Sequence, residues 1–464
     1  PPAVKVAADQ SARKNFEGSD LIVAEEQTVS YGNPTLRFTH RTARVTVILT
    51  DYTEEQIFVR LTGLSTADGN PAVIAPYYDK GGDTYIALVA PQTVAAGTAF
   101  ITCKFTNGKV FVYKMQNDAE WKAGEEYTYT VSLAAAEDPG YTVSEDGKTY
   151  EVYNAEGLKN LAKLVNEEGK TDIDITLTGD ITLTGEWTPI GTYDKPYTGT
   201  FDGGGKYTIT GLTVTGSNDY VGLFGRIGSG GAVKNVILTE VNVTAGTSVG
   251  GIAGQNDGTV ENCSVNGTVT GRGFTDTGGI VGTNYGTISG CSAEGTVTGS
   301  VNVGGIAGGS YLGVTIVGCY SSAAVEGYST VGGVVGNLGN NSSLMASYST
   351  GNVTVTSTTG NAGGVVGVNA QGTVTACYHA TGTVSGQGNV GGIVGMNNSG
   401  QNTACYWRSN PANGIGKMDS GTNGTIKVDG DWQNAVTQMN AALSGKGWQY
   451  ELKDGNSLPI LKKQ

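Results

Sequence analysis

A four-residue string, glycine–aliphatic–small or aliphatic–glycine, returns seven times between residues 222 and 395. It reads GLFG at 222–225, GIAG at 251–254, GIVG at 279–282 and GIAG at 305–308. It continues as GVVG at 333–336, GVVG at 364–367 and GIVG at 392–395, with steps of 29, 28, 26, 28, 31 and 28 residues. About ten residues after each copy comes Thr-Val-x-x-Cys or a variant, then Gly-Thr-Val-Thr-Gly or a variant. A period held over so many copies is the mark of a repeat architecture. Each copy reads as three short strands with Gly- and Asn-containing corners. A single coil of about 28 residues would lose about 1–2 kcal/mol of backbone entropy per residue. Its few inward aliphatics return only about 1.5–3 kcal/mol each, so a coil must stack on its neighbours to fold. The expected architecture is a β-solenoid of the right-handed β-helix type, its coils about 4.8 Å apart.

The cysteines report the same period. Cys263, Cys291, Cys319, Cys377 and Cys405 follow at steps of 28, 28, 58 and 28, with Ser347 filling the gap and Val236 holding the place in the first copy. Stacked coils would line these thiols up as small buried hydrophobes, a structural ladder. Parallel side-chain vectors make a disulfide between adjacent coils strained. No CxxC pair suggests zinc, and no metal is expected. Asn256, Asn284, Asn369 and Asn397 stand two residues past the last glycine of their motifs, where an amide ladder explains them. A calcium-binding solenoid would need Asp at such corners.

Composition narrows the partners. Glycine fills 74 of 464 positions without a G-X-Y period, so the chain is not collagen-like. A net charge of −13 repels phosphate backbones and anionic lipid, so no nucleic acid is expected as a partner. No apolar run reaches about 18 residues. The chain opens Pro1-Pro2 without Met, and a leader is expected upstream.

Open stacks expose strand edges and need caps. Asn154 is placed to cap a helix running to about Glu168, with Leu158, Leu161, Ala162 and Val165 on one face. Strands at 173–177 and 181–183 follow. Beyond the last coil, Asp431 is placed to cap a helix to about Leu443, with Trp432, Val436, Met439 and Leu443 as its apolar stripe. Trp448, Tyr450 and the run 458–461 are expected to return onto the stack.

Residues 36–134 have another texture, with longer strands and more charge. Stretches at 36–49, 57–61, 84–90, 100–105, 110–115 and 127–133 read as strands, and Asn107-Gly108 signals a hairpin turn. Turn signals every 10–15 residues imply an antiparallel β-sandwich. The fold class is therefore all-β: a sandwich, then a solenoid with short helical caps. The expected division is an entry segment at 1–35, the sandwich at 36–134, a cap with first coils at 140–220, the repeats at 221–410 and a C-terminal cap at 411–464.

Two resemblances follow from these residues. GLFG (222–225) and its successors, with FDGGGKYTITGLTV (201–214) and TPIGTYDKPYTGT (188–200), resemble the GLUG repeats of bacterial surface proteins over about 140–464. LRFTH (36–40), VAPQ (89–92) and AGEEYTYT (123–130), with SDLIVAEE (19–26), resemble the C-terminal half of fimbrillin-like proteins of Bacteroidetes over about 1–133. That resemblance implies a surface or outer-membrane lipoprotein from a longer precursor, attached to the membrane only through a lipid anchor lying upstream. In the family's shaft subunits the last strand sits near the chain end. Here some 330 residues follow Leu133, which suits a terminal adhesive subunit or a non-polymerising surface protein better than a shaft subunit.

Catalytic chemistry has little to work with. Between residues 222 and 405 there are nine charged residues, and from Gly327 to Trp407 none. Polysaccharide lyases and hydrolases need paired carboxylates, or a base beside a cation. Asp180, Glu186, Asp194 and Asp202 read as turn and capping residues, and His40 and His379 fall in different domains. No catalytic residue and no cofactor are expected. The stack offers aromatic residues instead. Tyr320, Tyr348, Tyr378 and Tyr406 each follow the cysteine position, and Trp407 follows Tyr406. If cysteine points inward, these tyrosines form an outward stripe about 15 Å long. It serves either as a structural stack or as a platform for a glycan or a partner protein. The expected function is a cell-surface adhesin, a fimbrial tip or accessory subunit, binding a host-surface glycan or protein or other fimbrial subunits. The alternative is a glycan-binding protein of a nutrient-capture system, and the remotest a β-helix polysaccharide lyase or hydrolase.

Overall fold

A computed structural model gives the fold. It describes the chain apart from residues 1–3, 25–26, 28–31, 33–35, 52–56, 106–109, 135–138, 145, 340, 409 and 454–456. The chain divides into two compact units, Pro1–Tyr150 and Glu151–Gln464.

The first unit is a β-sandwich. Alternation in ARVTVILT puts Ala43, Val45, Val47 and Leu49 on the buried face of strand Ala43–Thr50. This strand pairs antiparallel with Thr84–Val89, which pairs antiparallel with Tyr77–Asp79. On its other edge Glu126–Ser132 lies parallel over seven residue pairs. The residues between these two strands give room for the crossover a parallel pair needs. A second, antiparallel sheet holds Ile57–Leu61, Ala99–Phe105 and Val110–Lys114. Val45 and Val47 from one sheet meet Val59, Phe100 and Phe105 from the other, with Trp121 completing the core. Cys103 is buried there, and burial pushes its thiol up to about 12. The Asn107-Gly108 turn lies outside the described residues.

The second unit is a parallel β-solenoid. It opens on the helix Ala155–Asn166, whose first turn is closed by Gly157 N donating to Asn154 Oδ1 at 2.9 Å. Leu158, Leu161, Ala162 and Val165 are buried along it. Asp174–Leu177 and Ile181–Thr182 then pair in parallel with later strands and begin the stack.

Each full coil has four walls where the sequence suggests three strands, and in later coils wall D is broken into two short strands. In one coil they are Val249–Gly250 (wall A), Ala253–Asn256 (wall B), Thr259–Glu261 (wall C) and Ser264–Gly271 (wall D). The extra division arises because the glycine motif is itself a corner between walls A and B. Wall B stacks eight strands, from Phe224–Ile227 to Ile415–Met418, and wall A stacks six.

Close packing at that corner explains the motif. A Cβ on the glycine before it (Gly278, Gly304, Gly332, Gly363 or Gly391) would come closer than 3.0 Å to the carbonyl oxygen three residues on. A Cβ on its first glycine would strike an inward side chain of wall D: Val265 for Gly251, Ser349 for Gly333, Trp407 for Gly392. A Cβ on its last would strike the wall A backbone one coil back, as Gly282 would at Val249. All three positions need the absent side chain.

The columns are continuous. Cys263 N donates to Cys291 Sγ at 3.4 Å, Cys291 N to Cys319 Sγ at 3.5 Å, and Cys319 N to Ser347 Oγ at 3.2 Å. All six cysteines are free and buried. Burial pushes the thiols of Cys263, Cys319 and Cys377 well above the ordinary range, and that of Cys405 up to about 11. The amides also form a ladder: Asn256 Nδ2 donates to Asn284 Oδ1 at 2.8 Å, and Asn284 Nδ2 to Ser310 Oγ at 3.1 Å. Replacing Asn284 by Ala leaves both buried neighbours short of a partner. We expect a loss of about 1–3 kcal/mol in denaturant unfolding; an unchanged midpoint would mean the amides carry no stability.

Candidate functional site

The tyrosine column exists, but it does not face solvent as a stripe. Tyr320, Tyr348 and Tyr378 stack nearly face to face, with ring centroids 5.1 and 4.6 Å apart and planes 8° and 5° from parallel. Tyr406 continues the register. Exposure falls along the column, from 41% at Tyr320 to 0% at Tyr378 and 3% at Tyr406. The cause is the C-terminal segment, which lies along the side of the stack and not across its end. Its helix Gln433–Ala442 and hairpin Trp448–Glu451/Ile460–Lys463 form a strap over the corner between walls C and D.

Trp432 lies 5.0 Å from the Tyr378 ring and Tyr450 5.7 Å. Tyr378 OH donates to Pro459 O at 2.6 Å, and Tyr450 OH to Ala376 O at 2.9 Å. Lys463 Nζ reaches Glu261 at 3.1 Å. Asp431 accepts from Gln433 N at 3.1 Å, with Trp432 as the cap residue. Trp407 is no part of an outer platform: it points inward, above His379 in the wall D register and against Gly392. Of the five aromatic candidates, only Tyr320 is strongly exposed and Tyr348 partly so.

His379 is buried beside Trp407. Its Nδ1 lies 2.8 Å from Ser349 Oγ, and its Nε2 lies 3.0 Å from Gly382 O. The partners are a hydroxyl and a carbonyl, and burial shuts both side chains from solvent, so the pair is structural. Burial pushes the imidazole down to about 4 from an ordinary 6.5. The unfolded chain then takes up the proton first. Stability held in full above pH 6.5 is lost as pH falls to about 4, by about 3 kcal/mol. Thermal melts at pH 7.5 and 5 should show about 2 kcal/mol of this loss in the native protein and less of it in His379→Gln. Equal drops would mean that His379 does not titrate in the fold.

The carboxylates near the first coils act as turn and pairing groups. Asp180 Oδ1 accepts from Thr208 N at 2.8 Å and Asp202 Oδ1 from Gly204 N at 2.8 Å, while Glu186 accepts from Thr215. Hydrogen bonding to Thr215 holds the Glu186 carboxyl below its usual range.

A different cluster meets solvent, on the outside of wall B and its corners in the early coils. Arg226 Nε donates to Asp257 Oδ2 at 2.6 Å, its guanidinium lies 4.9 Å from the Tyr193 ring centroid, and its Nη1 donates to Tyr193 O at 3.2 Å. Gln255 Nε2 donates to Asp257 Oδ1 at 2.9 Å. Aromatic pairs flank this group: Tyr193–Tyr220 with centroids 5.3 Å apart, and Tyr285–Tyr311 at 5.8 Å. Tyr193 is 56% exposed and Tyr285 36%.

Where walls A and B meet, Asp276 is buried among donors: Asn302 Nδ2 at 2.8 Å, Thr283 Oγ1 at 2.9 Å and Tyr311 OH at 3.2 Å. Burial raises its carboxyl above the usual range. Burial also raises the Tyr285 phenol, helped by the charges of Asp276 and Asp257. Beside the cluster an open hollow of about 440 Å³ is lined by Asp257, Tyr285, the Thr259 and Thr287 column and glycine backbone.

Sequence reading misses this site because its residues come from successive coils. A signal is present: three residues past the last motif glycine stand Asp257, Tyr285 and Tyr311, against Gly339, Ala370 and Asn398 later.

A sandwich and a glycine-rich parallel solenoid make this a modular protein of two all-β units. Its first unit is fimbrillin-like, residues 2–146 matching that family, and its second carries GLUG motifs, matched at 245–270 and 275–298. Halomucin of Haloquadratum walsbyi is 28% identical over 242 residues, covering 47% of this chain and 3% of that protein. A Gly-rich membrane protein of Evansella cellulosilytica is 39% identical over 98 residues, covering 20% of this chain and 11% of that protein. The chain thus spans a small fraction of either relative. Among solved structures, a fimbrial protein from Bacteroides ovatus shares 20% identity over 31% of this chain and 33% of its own, with a TM-score of 0.19. An IgA1 protease shares 13% over 78% of this chain and 30% of its own, with a TM-score of 0.32. The fimbrillin-like match and the two sequence relatives point to a protein of the cell surface.

Proposed function

We propose that the protein is a non-catalytic adhesin, a fimbrial tip or accessory subunit whose solenoid presents the binding surface. One observation carries this reading: a fimbrillin-like unit is followed by a solenoid whose exposed early coils bear paired tyrosines around the Arg226–Asp257 ion pair. Tyrosines with a polar tip are suited to contact surfaces of mixed chemistry. A lipid anchor upstream would hold the protein at the outer membrane, and its partners would be a host-surface glycan or protein, or fimbrial subunits. The scarcity of charge on the coils and the structural partners of His379 support a passive role.

Adherence of cells displaying the protein, measured with and without it, tests the reading. We expect adherence to fall when it is absent and the protein to co-purify with sheared fimbriae. Unchanged adherence would remove the adhesin role. Release of reducing ends from polysaccharides incubated with the purified protein would remove the non-catalytic one.

A further inference from the structure

We infer that the early-coil cluster is a binding site for a neutral saccharide chain, lying along wall B from Tyr193 to Tyr311. This inference rests on the adhesin reading and names the ligand class.

Three observations converge on it. The first is the aromatic pairs. Tyr193–Tyr220 and Tyr285–Tyr311 stand on either side of Arg226–Asp257, so a ligand crossing the polar centre meets ring faces at both ends. The apolar face of a pyranose suits such rings, because its C–H groups carry the positive edge that a π-face attracts.

The second is the hollow. At about 440 Å³ it falls within the roughly 300–1,000 Å³ of small-molecule sites, yet its lining is polar. Thr259 and Thr287 hold equivalent places in successive coils, beside glycine backbone whose amides and carbonyls are bonded within the ladders, so the threonine hydroxyls and the Asp257 carboxylate are its polar groups. Hydroxyls at coil spacing beside a carboxylate match a ligand that is itself a repeat of hydroxyl groups.

The third is charge. Arg226 is already matched by Asp257 at 2.6 Å, with both side chains only partly exposed. Asp276 meets the hydroxyls and amide of Thr283, Tyr311 and Asn302 and no cation. The cluster therefore offers no uncompensated positive charge, and the chain carries −13 overall. An anionic glycan would meet repulsion where a neutral one does not.

Affinity electrophoresis of the full chain tests the inference, in gels holding mannan, galactan or xylan as neutral probes and hyaluronan or polygalacturonan as acidic ones. We expect retardation in at least one neutral gel. Tyr285→Ala should weaken it at least about tenfold and Tyr193→Ala measurably. A thermal melt and circular dichroism check that Tyr285→Ala, half-buried against Tyr311, keeps its fold at the assay temperature, while Tyr320→Ala, outside the cluster, should leave retardation unchanged. Asp257→Asn should also weaken retardation, with circular dichroism confirming the fold. Mobility unaffected by every neutral probe overturns the inference, as does retardation in acidic gels alone or retardation that Tyr285→Ala leaves intact. If cells displaying Tyr285→Ala still adhere and no neutral gel retards the protein, the saccharide site falls and the adhesin reading stands. If adherence never depended on the protein, the adhesin reading itself has failed.

Discussion

Replacing Gly363 by Ala should destabilise the solenoid by about 3 kcal/mol or more, whereas Gly430→Ala should be close to neutral. A Cβ at Gly363 would press on Val366 O within its own coil and on Gly395 N in the next, both of them backbone. Backbone held on two sides by parallel ladders has no rotamer to change, so the strain spreads along walls A and B. At Gly430 an added methyl would meet nothing within 4 Å, which makes that position the matched control. Denaturant unfolding of the two variants gives the comparison. Equal midpoints would show that the corner yields, and the reason offered for the glycine motif would fail.

Tyr378→Ala should cost about 3–5 kcal/mol and free the strap, because a fully buried ring between Tyr348 and Trp432 is lost together with its bond to Pro459 O. Tyr378→Phe keeps the ring and should cost about 1 kcal/mol. Limited proteolysis reads the strap directly: cleavage within 429–464 should rise in the alanine variant and stay near native in the phenylalanine one. A strap equally protected in all three would mean that Tyr378 does not hold it.

Much of the stack is legible in the sequence because its physics is periodic. The cysteine and asparagine positions foretell columns, and the structure has Cys263, Cys291 and Cys319 one above the next. The Asn154 helix is legible because a cap and an apolar face announce it locally. The buried tyrosines are not legible. Strand alternation rightly turns Tyr378 away from the solenoid interior, but the residues that cover it lie 54 and 72 positions further on.

A faint trace of the cover does exist. The residue before each cysteine position turns the chain with a positive φ, and it runs Asn235, Asn262, Gly290, Gly318, then Ala346, Ala376, Ala404. Alanine accepts that conformation at a cost of about 1–2 kcal/mol. Ala346 and Ala376 are fully buried in the cluster formed with the strap helix, where a larger polar side chain would hold the helix off. In the sandwich, turn spacing implies antiparallel pairing throughout, and the parallel strand Glu126–Ser132 departs from it. The strand itself is announced at 127–133, but pairing direction leaves no mark on its alternation, so its parallel setting is not.

A stack of like coils can ordinarily gain or lose a copy and keep every contact, since each coil touches only its neighbours. The strap breaks that indifference. It is fixed at Trp432 against Tyr378, at Tyr450 against Ala376 and at Lys463 against Glu261, so it acts as a gauge laid along the column. One more coil inserted between Glu261 and Cys405 would lengthen the span by about 4.8 Å and pull one of those anchors off its mark. Copy number is thereby policed under the strap and free before Glu261, so growth of the protein's reach is confined to the end where Tyr193 and Tyr220 stand.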